Sequence, residues 1–313
     1  MKPLPILIDC DPGQDDFINI LLAIASPEDV RIDGITTVGG NVPLERTHRN
    51  ARLACELANV VDVPVFAGCV QPLIRTLETA EYLHGETGID GYEVTEPQMP
   101  LSSEHAVDFI VRHAQNTQGG RLTLVATAPL TNIAMAFKKA PDIRDRIGRI
   151  VLMGGAMREG GNVTPSAEFN IGVDPHAADI VFRSGIPITV FGLDVTHQFL
   201  MTRARRDCIR AIDTKPAHVV ADMLDFSVRY DESKYGADRA PLHDCCTLLS
   251  LLRPELFEFK ECAIQVETES PLTSGHTAVD LWGVTGQSHN AWWAHAIEHE
   301  AAFELLSQRI ARL

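Results

Sequence analysis

Four carboxylates fall within eight residues in Ile8-Asp9-Cys10-Asp11-Pro12-Gly13-Gln14-Asp15-Asp16, where a short apolar strand runs into a helical pattern. The strand period of two places Asp9 and Asp11 on one face, and Asp15 and Asp16 open the helix. Like charges this close raise one another's pKa unless a cation or hydrogen-bond donors compensate. Crowded oxygen ligands suit a hard divalent cation, Ca²⁺ or Mg²⁺. The simpler alternative is helix capping by Asp15 and Asp16, with Asp9 in solvent.

The surrounding elements decide whether these acids can converge. Short β-branched runs at Ile6 to Asp9, Ile32 to Val38, Val63 to Ala67, Leu122 to Ala126, Ile150 to Met153 and Ile188 to Leu193 alternate with helical spacing at Asp15 to Ala25, Leu44 to Leu57, Ala106 to Ala114, Asn132 to Lys139 and Pro175 to Arg183. This alternation predicts an α/β fold, with a mostly parallel central sheet flanked by helices in a Rossmann-like arrangement. In such sheets ligands gather beyond the carboxyl ends of the strands. From about Thr202 the pattern turns to helices at Arg203 to Ile212, Ala217 to Arg229 and Cys245 to Leu252. Strand-like runs near Ala263 to Val266 and Asn290 to Ala294 and a C-terminal helix follow. No Pro/Gly/Ser-rich linker sets this part off, so it reads as an elaboration on the same sheet and residues 1–313 as a single domain. Phe17 through Ile24 and the Trp292-Trp293 pair read as core.

Further motifs lie in order along the chain: Gly40-Asn41; His84-Gly85-Glu86-Thr87-Gly88; Ala126-Thr127-Ala128-Pro129-Leu130-Thr131-Asn132; Val151-Leu152-Met153-Gly154-Gly155; Ala167-Glu168-Phe169-Asn170 with Asp174-Pro175; Gly192-Leu193-Asp194-Val195-Thr196; and Leu242-His243-Asp244. Together with Asp-Cys-Asp-Pro-Gly-x-Asp-Asp this set resembles the nucleoside hydrolase family, of inosine-uridine or pyrimidine ribonucleoside type, over nearly the whole chain. The resemblance implies hydrolysis of the N-glycosidic bond of ribonucleosides with Ca²⁺ as cofactor. It implies ligation by the carboxylates of Asp11, Asp16 and Asp244 and the carbonyl of Thr127, with water and ribose hydroxyls completing the roughly 6 to 8 oxygens that Ca²⁺ takes. Read from the residues alone, Thr127 or Thr131 serves equally well as a helix N-cap. A Ca²⁺-bound water activated by Asp11 as general base would attack the anomeric carbon. Asp15, Asn41, Asn162, Glu168 and Asn170 match family positions that hold the ribose hydroxyls, around an oxocarbenium-like transition state.

Of 12 histidines, His243 and His84 stand out, since only His has an unperturbed pKa suited to proton transfer near neutral pH. By resemblance His243 assists the leaving base and His84 is its neighbour on the nucleobase side. Ser227, Asp231 and Tyr235 fall at i, i+4 and i+8, one face of a helix that in the family reaches the base. The alternative there is an amphipathic helix with Tyr235 in the core. Gln14 stands where many members carry His or an aliphatic residue, a departure that bears on base preference. The purine-specific members' stacking tryptophans have no clear counterpart, which leaves a pyrimidine or inosine-uridine preference.

The net charge of -15, from 42 acidic and 27 basic residues, would repel phosphate backbones and anionic membranes, so neither nucleic acid nor membrane is an expected partner. Seven scattered cysteines without metal-ligand spacing and the lack of a secretory leader pattern predict a cytoplasmic protein. Family members are commonly homotetramers or homodimers, and a role in nucleoside salvage and purine or pyrimidine metabolism is implied. Two other readings exist: a haloacid-dehalogenase-like Mg²⁺ phosphatase, which also opens with Asp-x-Asp, and a non-catalytic nucleoside or ribose binder.

Overall fold

The computed structural model describes residues 2–117, 122–236 and 238–313, without the side chains of Asp231, Lys234 and Tyr235. Its strands are β1 (Leu4–Cys10), β2 (Val30–Thr37), β3 (Val65–Ala67), β4 (Leu122–Ala126), β5 (Ile147–Met153), β6 (Ile188–Phe191), β7 (Leu200–Thr202), β8 (Arg239–Pro241), β9 (Phe257–Val266), β10 (Thr277–Asp280) and β11 (Ala291–Ile297). The helices are α1 (Gln14–Ile24), α2 (Leu44–Leu57), α3 (Glu81–His84), α4 (Ala106–Asn116), α5 (Thr131–Lys139), α6 (Phe169–Val173), α7 (Pro175–Phe182), α8 (Leu193–Thr196), α9 (Arg203–Arg210), α10 (Lys215–Tyr235), α11 (Cys245–Leu252) and α12 (His299–Ile310).

Nine strands form one sheet in the order β10-β9-β11-β6-β5-β4-β1-β2-β3. It is parallel except where β9 pairs antiparallel with β11 and β10 with β9. From β1 the chain builds outward through β2 and β3, then returns to the other side of β1 and builds through β4, β5 and β6. The order therefore reverses between β1 and β4, and a crevice opens beyond their carboxyl ends. The expected C-terminal elaboration extends this sheet, through β11 beside β6.

The strand period sorts the core into two layers. Ile6, Ile8 and Cys10 point to the side covered by α1, α2, α10, α11 and α12. Leu7, Leu122 and Leu124 point to the side covered by α4, α5 and α7. The reading of Trp292 and Trp293 as a core pair holds for one of them: Trp293 is fully buried, whereas Trp292 is 39% exposed. Successive residues of a strand face opposite ways, so only one of two adjacent tryptophans on β11 can enter that layer. No described helix is long and apolar enough to cross a membrane.

Candidate active site

Strand β1 ends at Cys10, one residue before the alternation would have aligned Asp11 with Asp9. The two acids consequently separate. Asp9 is sealed under the sheet edge, where its Oδ1 accepts from the Thr36 hydroxyl at 2.5 Å and from Asn132 Nδ2 at 2.8 Å. Asp9 is fully buried instead of solvated and does not line the cavity over the acids. Burial pushes its pKa up to about 6, against those two hydrogen bonds.

Asp11 is fully buried behind the acids that face the cavity and, like Asp16, does not itself line it. Its Oδ2 accepts from the backbone N–H of Asn41 at 2.7 Å, while Oδ1, also buried, has no hydrogen-bond partner. Gly40 makes the approach possible, since a Cβ there would overlap the Asp11 carboxylate. Asp16, in the first turn of α1, accepts from the Thr127 hydroxyl at 2.6 Å. Thr127 directly follows β4, and its N–H donates to the Asp9 carbonyl at 2.9 Å, so its hydroxyl braces an acid instead of capping α5. Asp244 enters from the far end of the chain, just ahead of α11. Ligand oxygens of Asp15, Asp16 and Asp244 lie within 4.8 Å of one another, a spacing that can hold a metal ion. The tightest set thus contains Asp15, which the family resemblance assigns to ribose, and Asp11 adjoins it through a carboxyl contact with Asp16.

Electrostatics make a cation a good fit. Burial, then the neighbouring Asp16, raises Asp11 well above the usual carboxylate range. Asp16 is pushed up to about 8 by burial and then by Asp15, and Asp244 is raised by burial and the same neighbours. Three acids that resist ionising together, with the buried Oδ1 of Asp11 unpartnered, would be balanced by a bound cation.

Over the acids lies a cavity of about 510 Å³, a size suited to a small-molecule ligand. Asp15, Asn41, Thr127, Asn162, Glu168, Asn170, His84, His243 and Asp244 all line it. Asn41 Nδ2 lies 3.2 Å from the Asp11 carbonyl and 3.4 Å from Asp16 Oδ2, so it braces the acids as well as facing the cavity. Asn170 Nδ2 donates to the carbonyls of Thr127 and Met153, both at 3.2 Å. Glu168 caps α6 and accepts from the N–H groups of Gly155, Asn170 and Ile171. Burial nevertheless lifts it to about 7. Asn162 accepts from the Phe169 N–H at 2.9 Å.

The two histidines both line the cavity wall, each with its own partner. His84 Nδ1 is 2.6 Å from Gln14 Oε1. His243 Nδ1 is 2.7 Å from the Thr196 hydroxyl, and its ring lies 5.8 Å from that of His197. Burial lowers both, His243 to about 4. Ser227 donates to the Met223 carbonyl at 3.1 Å and lines not the main cavity but a small one of about 50 Å³ that adjoins it and shares His84 and His243 with it. The side chains of Asp231 and Tyr235 lie outside the described residues.

Tyr82, Tyr230, His197 and Arg239 also line the main cavity, and sequence reasoning misses all four. Tyr230 is three residues from Ser227, inside the helical-face window, and His197 extends the Gly192-to-Thr196 motif, so both carry a signal. Arg239 carries none, because β7 and β8 pair across an insertion of two helices.

The chain matches the model of the inosine-uridine preferring nucleoside hydrolases over residues 6–304. It is 44% identical to a pyrimidine-specific ribonucleoside hydrolase of Klebsiella pneumoniae over 98% of each chain. It is equally similar, at 44%, to an uncharacterised protein of Schizosaccharomyces pombe over 99% of this chain and 100% of the other. A purine-preferring ribonucleoside hydrolase from Gardnerella vaginalis superposes with a TM-score of 0.91 at 36% identity, covering 98% of both chains. With acids converging at the switch point beneath a nucleoside-sized cavity, these likenesses lead to one conclusion: the chain belongs to the inosine-uridine preferring nucleoside hydrolase family and cleaves ribonucleosides at the N-glycosidic bond.

Proposed function

We propose that the chain hydrolyses pyrimidine nucleosides and inosine with one Ca²⁺ held by Asp11, Asp16, Asp244 and the Thr127 carbonyl, with Asp15 beside it. The observation that carries this reading is the convergence of Asp15, Asp16 and Asp244 within 4.8 Å under the cavity. When bound, the cation would ionise these carboxyls, lower the pKa of water and anchor ribose hydroxyls.

The protein's own groups supply the rest. Asp11 Oδ1, which accepts no hydrogen bond, takes a proton from the attacking water as its oxygen bonds to the anomeric carbon. Asp15, Asn41, Asn162, Glu168 and Asn170 orient the ribose, and the carboxylates favour the positive charge that grows on the sugar. As the C–N bond breaks, its electron pair leaves with the base, and His243 provides the proton that neutralises it. Negative charge on the departing base offsets the burial that otherwise keeps the His243 imidazole neutral. His84, Ser227, Asp231 and Tyr235 are assigned to the nucleobase side.

Pyrimidine preference is supported by the Klebsiella relative. The Gardnerella structure, by its name purine-preferring, keeps inosine in the test. Residues 1–313 are proposed to act as one domain in a homo-oligomer, tetramer or dimer. The seven unpaired cysteines suit a reducing cytoplasm, where the reaction would serve nucleoside salvage. A panel of uridine, cytidine, inosine and guanosine, with kcat/KM measured for each, tests the assignment. Uridine or cytidine should lead, and a lead by guanosine would overturn it.

A further inference from the structure

We propose that Gln14 is a positioning residue for the nucleobase subsite, fixing His84 in the tautomer that presents a bare Nε2 to the ligand. This rests on the reading that His84 faces the base. Gln14 is buried at the start of α1, and its Nε2 lies 2.9 Å from the His84 carbonyl and 3.2 Å from the Asp90 carbonyl. Two carbonyl acceptors identify that end as the amide NH₂ group. The other end, Oε1, can only accept, so His84 Nδ1 at 2.6 Å must carry the proton. A neutral imidazole protonated at Nδ1 offers a lone pair at Nε2.

The backbone holds the same arrangement. Gly13 leaves room for the ring, since a Cβ there would come within 2.6 Å of His84 Nδ1. One side chain therefore grips both the carbonyl and the ring of His84 and ties α1 to α3. The chemistry favoured at Nε2 is a donor, such as the ring N–H of uracil or hypoxanthine or the amino group of cytosine. A base whose ring N–H is methylated meets the lone pair with nothing to give.

The test pairs a spectroscopic readout with a kinetic one, in the holoenzyme. Nitrogen-15 spectra of the histidine rings, with His84 assigned through His84→Ala, should show the Nδ1–H form in the native chain. Gln14→Leu, close in size but without the amide, should give a mixed tautomer. Its KM for uridine should rise roughly tenfold, as loss of an ordered hydrogen bond implies, by more than kcat falls. The preference for uridine over 3-methyluridine should shrink accordingly. An unchanged His84 spectrum in Gln14→Leu overturns the lock. An altered spectrum with an unchanged uridine to 3-methyluridine ratio overturns instead the placement of His84 on the base.

Discussion

In the proposed mechanism Asp11 and His243 carry opposite halves of one proton balance, and each can be removed alone. Asp11→Asn keeps the shape and the Asn41 contact but abolishes the acceptor at Oδ1. Turnover should fall by about 10² to 10⁴, the range for losing a general base, with the fold retained by circular dichroism; near-native turnover refutes the role. His243→Ala should slow uridine far more than a nitrophenyl riboside, whose leaving group departs without a proton. Equal slowing of both substrates would make His243 structural. Gly40 is constrained by packing alone: Gly40→Ala drives a methyl group into the Asp11 carboxylate, so activity should drop without loss of any chemical group.

Among the elements, the loop from β5 to α6 depends on Glu168, whose carboxylate collects three backbone N–H groups. Glu168→Ala leaves those donors unpaired and should cost about 1 to 3 kcal/mol in urea titration; a cost near zero would mean that the loop holds itself. The larger elements are legible in the sequence because each has a strong period and clear ends: α2 and α11 match their expected spans, and α1 and β4 differ by no more than a residue. The acids are legible because carboxyls crowded so closely along the chain repel one another unless a cation or donors hold them. What escapes is governed by spacing in three dimensions. β1 stops at Cys10, so alternation overstates the kinship of Asp9 and Asp11. The β7–β8 pair joins residues nearly 40 apart through only three pairs, too short for a periodic signal, and Arg239 reaches the cavity only through it. Gln14 stands out in the sequence as a departure, yet its grip on His84 spans 70 residues and depends on a fold that no local pattern encodes.

For the whole molecule, stability should depend on pH with two opposite slopes. Asp16 rises from an ordinary 3.8 to about 8, an acid whose protonated form the fold favours. Its contribution is fully present below about 3.8 and is lost as pH climbs through about 8. In chelator, therefore, the melting temperature should decline from about pH 4 to pH 8, and Ca²⁺ should flatten the decline because bound metal favours the ionised acids. A chelated protein whose melting temperature rises over that interval would contradict the buried-acid account. Glu28 acts in the other direction. Arg312 and Arg309 hold it down to about 2, so its contribution is present above about 4.5 and is lost as pH falls through about 2.

The formal net charge of -15 adds a long-range attraction for cations that salt will screen. The most direct test is the rate of uridine hydrolysis by the chelated protein as Ca²⁺ is added back. Activity should be absent in excess chelator and return in proportion to the metal, saturating at one ion per chain. Undiminished hydrolysis without divalent metal would contradict a site built by Asp11, Asp16 and Asp244 around a single cation.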